Sequence, residues 1–145
     1  MATGDGGASL TTELTMLAWS AALLFVLVLL QAMAGIRSQG LVPLAGHRDN
    51  LPDASGFHAR MLRVVDNHRE GLTLFAPLVL IAALVHVSNP MTVWGAQLFF
   101  YSRVVHAALY ILGVPLIRPL PWAVGMAGTA LVFAALMGWT IPLPS

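Results

Sequence analysis

The second hydrophobic segment of the chain opens with Arg60-Met-Leu-Arg63-Val-Val-Asp66-Asn67-His68-Arg69-Glu70-Gly-Leu-Thr73-Leu-Phe75, which carries three of the seven basic residues and two of the six acidic ones. At about 100° per residue, four of its polar residues share an arc of a helix about 80° wide: Arg60, Arg63, Asn67 and Glu70. Charges that lead into apolar sequence of lipid length must face a partner, a water-filled cavity or a ligand. The alternative is a helix end in the headgroup layer, with its arginines extended toward water.

The amino-acid composition is that of a membrane protein. Hydrophobic residues make up 58% of the 145 residues and charged residues only 9%, which is far from the balance of a soluble domain. All seven basic residues are arginine and the net charge is +1, so nothing indicates a nucleic-acid partner. The chain has no cysteine, which excludes disulfides, thiolate metal sites and a cysteine nucleophile.

Four membrane helices of ~20 residues account for the chain, and we predict them at about 13–36, 57–87, 91–112 and 120–141, in a single domain over residues 1–145. Short connections make neighbouring helices antiparallel, so the expected fold is an all-α, up-down four-helix bundle. The last helix carries Gly125-Met-Ala-Gly128-Thr-Ala, a face of small residues that suits close helix packing. The connection 38–56 is rich in Gly and Pro and is predicted to be a loop.

A second polar face is predicted on the third helix, where Arg103, His106 and Tyr110 share one arc near its end. Arg118 follows in the next connection. In an antiparallel bundle, these residues and the arc of the second helix meet at one membrane surface. Nearly all the arginines lie on that side, which the positive-inside rule places in the cytoplasm with both termini outside.

Two further groups leave alternatives open. Arg37, at the end of the first helix, is either a membrane-interface anchor or a contributor to the same polar site. His47-Arg48-Asp49 either contacts a ligand or stays in a solvated loop. No metal is expected, because His106 lacks a His or carboxylate neighbour at ligand spacing and His68 lies off the polar arc. No haem is expected, because His86 and His106 are placed at opposite membrane faces. A set of arginines with an amide, a carboxylate and a phenol suits a small ligand with several charges.

The motif Arg63-x3-Asn67-x2-Glu70-x4-Phe75, followed by Arg103-x2-His106-x3-Tyr110, resembles the MAPEG family, the membrane-associated proteins in eicosanoid and glutathione metabolism. The resemblance covers all four predicted helices, and the loop Gly46-His-Arg-Asp-Asn-Leu-Pro-Asp is similar to the bacterial branch. It implies a homotrimer in the bacterial inner membrane that binds glutathione between subunits and acts on a lipophilic small molecule.

The resemblance also implies a role for each polar residue. Arg63, Asn67 and Glu70 would hold the carboxylates, amide and amine of glutathione. His106 and Tyr110 would line the same site, with Arg103 in support. Arg118 would stabilise the glutathione thiolate, and Arg37 would lie near the second substrate. The implied activity is that of a glutathione transferase or peroxidase.

The chain departs from the family pattern at three positions that bear on activity. Thr73 stands where members usually carry Pro, Ser102 replaces a Gly, and Asp66 places a negative charge beside an anion site. Asp66 can pair with Arg63 or with Arg69, both three residues away. The alternative to an enzyme is a non-catalytic helical subunit, or scaffold, of a larger membrane protein complex.

Overall fold

Helices form all the regular secondary structure of residues 9–46 and 51–143, the part of the chain that the computed structural model describes. Five helices lie in these ranges: α1 (Thr12–Gln39), α2 (Leu41–Ala45), α3 (Gly56–Leu84), α4 (Pro90–Leu112) and α5 (Pro119–Leu136). The predicted all-helical class is therefore confirmed.

The short helix α2 lies in the connection that the sequence predicts to be a loop. Pro43 does not prevent it, because this residue lies in the first turn, where backbone N–H groups have no hydrogen-bond partner within the helix. Gly40 precedes α2 with a φ of 85°, a left-handed conformation that separates α2 from α1. The segment His47-Arg48-Asp49, for which ligand contact and a solvated loop are both open, lies outside the described ranges.

Helices α3 and α5 end earlier than the predicted limits of about 87 and 141. Helix α3 ends at Leu84, and the backbone then turns at His86, whose φ is 56°. Helix α5 ends at Leu136, and Gly138 follows with a φ of 76°. A residue in the left-handed region ends a helix by turning the chain back on its last carbonyl groups.

Local hydrogen bonds fix both ends of α4. The Asn89 Oδ1 atom accepts bonds from the backbone N–H groups of Met91 and Thr92, and the Thr92 hydroxyl accepts one from the backbone N–H of Asn89. Pro90 is the first residue of the helix. At the other end, Gly113 adopts a left-handed conformation and closes the helix.

The core lies between α1, α3, α4 and α5. Helix α1 packs on α3 and α4, and α5 packs on α3 and α4. One apolar cluster joins α1 to α3 through Leu27 and Met61. A second joins α3, α4 and α5, where the rings of Phe75 and Phe99 stack with centroids 4.0 Å apart, beside Val132.

Helices α4 and α5 approach each other closely at a pair of glycines. A Cβ atom on Gly95 would lie 2.6 Å from the carbonyl oxygen of Gly128, and a Cβ atom on Gly128 would lie 2.6 Å from that of Gly95. Only residues without a side chain permit this contact. The predicted packing face of α5 is confirmed, with Gly125 and Thr129 also buried in it.

Two of the described helices, α1 and α5, are long and apolar enough to cross a membrane, with mean hydropathies of 2.2 and 1.5 over 18-residue stretches. Helix α1 exposes large apolar side chains along much of its length, among them Trp19, Phe25, Val26, Leu29 and Met33. Helix α3 does not qualify as a candidate span by composition, because its first half carries the charged stretch that begins at Arg60.

Candidate functional site

A buried guanidinium group lies at the centre of the predicted polar site. Arg103 on α4 is only 1% exposed. Its Nη1 atom donates a hydrogen bond of 2.7 Å to the Asn67 Oδ1 atom on α3, and its Cζ atom lies 5.1 Å from the centroid of the Phe99 ring. Its Nε and Nη2 atoms are also buried and have no hydrogen-bond partner among the described residues. Arg103 is itself buried, and its hydrogen bond fixes the side-chain amide of the half-buried Asn67.

Two glycines on neighbouring helices make room for this guanidinium. A Cβ atom on Gly71 of α3 would lie 2.4 Å from Arg103 Nη2, and one on Gly125 of α5 would lie 3.3 Å from Arg103 Nε. The same added atom on Gly125 would lie 2.7 Å from the hydroxyl oxygen of Ser102. Arg103 thus occupies a slot between α3 and α5, and Gly125 also leaves room for the Ser102 hydroxyl.

The slot predicts the behaviour of a Gly71→Ala variant. The added methyl group must displace the guanidinium and break its bond to Asn67, and overpacking of this kind costs ~1–3 kcal/mol. We expect a lower free energy of unfolding and a shifted Nε–H signal of Arg103 in a ¹⁵N NMR spectrum. The exposed Leu74→Ala variant on the same helix is the control. An unchanged Arg103 signal in Gly71→Ala would contradict the slot.

A row of three contacting side chains begins at the buried His106 and ends at the half-buried Arg118. The His106 and Tyr110 rings lie one turn apart on α4 with centroids 4.9 Å apart, and the Cζ atom of Arg118 lies 4.3 Å from the Tyr110 centroid. The Arg118 Nε–H donates a 2.6 Å hydrogen bond to the carbonyl of Val114. His106 is buried and Arg118 is half-buried at the start of α5. The structure therefore brings together the three predicted residues His106, Tyr110 and Arg118.

The predicted arc of α3 is divided by the fold. Arg60 and Asn67 are half-buried beside the core, whereas Arg63 and Glu70 are exposed. Neither Arg63 nor Glu70 forms an ion pair with a described residue, since the one pair found there joins Asp66 to Arg69 at 2.9 Å. Asp66 therefore pairs away from the arc and leaves Arg63 free. The Thr73 hydroxyl donates a hydrogen bond to the backbone carbonyl of Arg69.

Arg37 lies apart from this group. It is exposed at the end of α1 and lines a cavity of about 410 Å³ together with Phe57 and His58 at the start of α3. His58 is buried, and its Nδ1 atom is 3.0 Å from the Ser38 hydroxyl. No described contact joins Arg37 to Asn67 or Arg118, so its place in the site stays a prediction.

His68 is a polar core residue that the sequence analysis does not assign to any site. It is 2% exposed, and its Nε2 atom is 2.9 Å from the carbonyl oxygen of Ser20 on α1. Its Nδ1 atom is buried without a hydrogen-bond partner among the described residues. The signal for this role is its position in the middle of the apolar arc of α3, between Val65 and Gly71. Within residues 9–46 and 51–143, no group of three His, Cys, Asp or Glu side chains could hold a metal ion.

Comparison with known proteins gives one match. The model of the MAPEG family matches residues 16–138, which is most of the chain and includes the buried site and the row of His106, Tyr110 and Arg118. No curated protein and no solved structure shows significant similarity to the chain.

Proposed function

This chain belongs to the MAPEG family, and we propose that it is a glutathione-dependent transferase or peroxidase that acts on lipophilic electrophiles. The observation that carries the proposal is a series of polar side chains along α4, which we call the polar path. It begins with Asn67 bonded to Arg103 between the helices and goes on, further along the same helix, with His106, Tyr110 and Arg118. Apolar helix surfaces surround this path. A charged co-substrate and a substrate that arrives from lipid can therefore meet there.

The free groups on α3 match the chemistry of glutathione. Glutathione presents two carboxylates, an ammonium group, amides and a thiol. Arg63 can bind a carboxylate through a bidentate pair of hydrogen bonds, and Glu70 can bind the ammonium. Asn67 keeps its amide nitrogen available, because Arg103 occupies only its oxygen.

Arg118 is the group that we propose activates the thiol. A thiol attacks an electrophile as its thiolate, and a neighbouring cation lowers the pKa of the thiol. Arg118 is the N-cap residue of α5, where the positive end of the helix dipole adds to the charge of the guanidinium. Its contact with the Tyr110 ring holds the cation beside the path.

We propose that the protein is a homotrimer with the site between subunits. Arg63 and Glu70 are exposed and unpaired among the described residues, yet they lie on a helix whose later residues expose large apolar side chains, such as Leu80 and Leu84. Charged side chains next to lipid are costly. A neighbouring copy that covers this flank would remove them from lipid and complete the ligand site.

We further propose that all four long helices cross the membrane, in the inner membrane of a bacterium. The exposed apolar residues of α3 and α4 support the two additional spans, with Leu74 and Ile81 on α3 and Tyr101 and Val105 on α4. The described arginines avoid the 87–90 turn. By the positive-inside rule the polar site then faces the cytoplasm and both termini lie outside.

The second candidate is a non-catalytic subunit or scaffold of a larger membrane complex. The same unpaired flank of Arg63 and Glu70 favours it, because a different protein could cover these residues as well as a second copy could. The two proposals differ in what purification yields. An enzyme of this family would purify as a complex of identical chains, whereas a scaffold subunit would purify with its partner.

Calorimetric titration with glutathione tests the proposed function. We expect saturable binding by the wild type and binding at least tenfold weaker by Arg63→Gln, because a hydrogen bond to a charged group contributes ~1.5–3 kcal/mol. Arg69→Gln is a matched control, since Arg69 is an exposed arginine on the same helix that already pairs with Asp66. Its affinity should stay within about twofold of wild type. A wild type that shows no saturable heat would leave only the scaffold candidate.

A further inference from the structure

A buried carboxylate lies at the end of the molecule away from the polar path. Glu13 is in the first turn of α1 and is 4% exposed. It contacts Thr92 in the first turn of α4, whereas Tyr110 lies in the last turn of the same helix. The site that Glu13 occupies is therefore separate from the one proposed for glutathione.

Only one oxygen of this carboxylate is occupied. Glu13 Oε1 accepts a hydrogen bond of 2.9 Å from the Ser88 hydroxyl and another from the Thr92 hydroxyl. Glu13 Oε2 is buried and has no hydrogen-bond partner among the described residues. A buried carboxylate oxygen without a partner is energetically costly. The two hydroxyls explain how the side chain is positioned but leave the second oxygen unexplained.

Glu13 forms part of the wall of a cavity of about 250 Å³ between α1, the end of α3 and the 85–89 turn. Much of the remaining wall is apolar and includes Leu14, Val79, Ala82 and Val87. The unpartnered oxygen belongs to a side chain that forms part of this wall. The torsion that orients a carboxylate is soft, so a small rotation brings this oxygen to a ligand.

No basic side chain neutralises this carboxylate in the described ranges. The ion pair found there joins Asp66 to Arg69, and His86 lines the cavity without forming a pair with Glu13. The helix dipole favours the negative charge at the start of α1, and the Thr11 side chain and the backbone N–H of Glu13 are close enough to favour it further. The cavity thus offers the negative charge of Glu13 within a largely apolar wall, and its other polar residues are Thr11, His86 and Ser88.

We propose that this cavity binds a small organic ammonium ion, with its N–H group donating to Glu13 Oε2 and its hydrocarbon part against Leu14, Val79 and Val87. A metal ion fits these surroundings less well, because Ca²⁺ and Mg²⁺ require six or more oxygen ligands. An apolar cavity of about 150 Å³ holds benzene. A cavity of about 250 Å³ therefore has room for a benzene-sized group that carries an ammonium.

The test is a calorimetric titration of the detergent-solubilised protein with benzylammonium chloride, compared with benzyl alcohol as a neutral ligand of similar shape. We expect saturable binding of benzylammonium and binding of benzyl alcohol at least tenfold weaker. Glu13→Gln keeps the shape of the side chain without its charge, and it should weaken benzylammonium binding at least tenfold. The titration is independent of glutathione, so it does not depend on the proposed function.

A second variant decides the question if Glu13→Gln does not fold. Ala83→Leu leaves the carboxylate in place and fills the cavity from a half-buried position in its wall, so it should abolish saturable binding. The proposal is overturned if the wild type does not saturate or if benzyl alcohol binds as tightly as benzylammonium. It is also overturned if a folded variant of either kind binds within twofold of the wild type.

Discussion

In a Gly128→Ala variant, we expect the free energy of unfolding to fall by about 3 kcal/mol, the upper end of the usual cost of overpacking. The added Cβ atom would lie 2.6 Å from the carbonyl oxygen of Gly95 and 2.9 Å from the backbone nitrogen of Phe99. Neither atom can rotate away as the end of a side chain could, so α4 and α5 must separate. The loss should appear in a titration with sodium dodecyl sulfate in mixed micelles, followed by circular dichroism.

The controls for this variant distinguish loss of the close contact between α4 and α5, here called the crossing, from a general destabilisation of α5. Ala130→Leu adds more volume at an exposed position of the same helix and should stay within about 0.5 kcal/mol of wild type. Gly95→Ala should cost about as much as Gly128→Ala, and the double variant should cost less than the sum, because both methyl groups separate the same two helices. A Gly128→Ala protein as stable as wild type would contradict the close crossing.

This crossing shows how far the sequence predicts helix packing. The spacing of Gly125 and Gly128 indicates a small face on α5, and the structure confirms that this face is the packed one. The sequence does not reveal its partner, since Gly95 is an isolated glycine in α4. A contact between two helices depends on both surfaces, and periodicity describes only one surface at a time.

The same limit applies to the polar arc of α3. Helical spacing places Arg63, Asn67 and Glu70 on one side, but it does not say where the buried sector of the helix ends. The edge of the core falls within the arc, so Asn67 is half-buried and the other two residues are exposed. The depth of Arg103 is equally unpredictable from α4 alone, because the slot that holds it is formed by Gly71 and Gly125 on other helices.

In the Arg118→Ala variant, the thiol of bound glutathione should stay protonated at pH 7, whereas in the wild type it should be largely ionised. Arg118 supplies a cation at the start of α5 and is held against the Tyr110 ring. Each unit by which a cation lowers the pKa of a thiol corresponds to ~1.4 kcal/mol of thiolate stabilisation. The measurement is the ultraviolet absorbance of the thiolate in the complex across pH, compared between the two proteins.

The comparison separates activation of the thiol from binding. Arg63 and Asn67, which are proposed to hold the rest of glutathione, are unchanged in this variant, so its affinity should stay within a few-fold of wild type. Arg118→Lys keeps a positive charge without the planar contact to Tyr110, and its titration curve should fall between the other two. If the wild type and Arg118→Ala give equal curves, Arg118 is not the activating group. The wild type could also bind glutathione and yet show its thiolate absorbance only in the pH range where free glutathione shows it. The site would then bind the tripeptide without activating it, and the proposed transferase or peroxidase activity would be wrong.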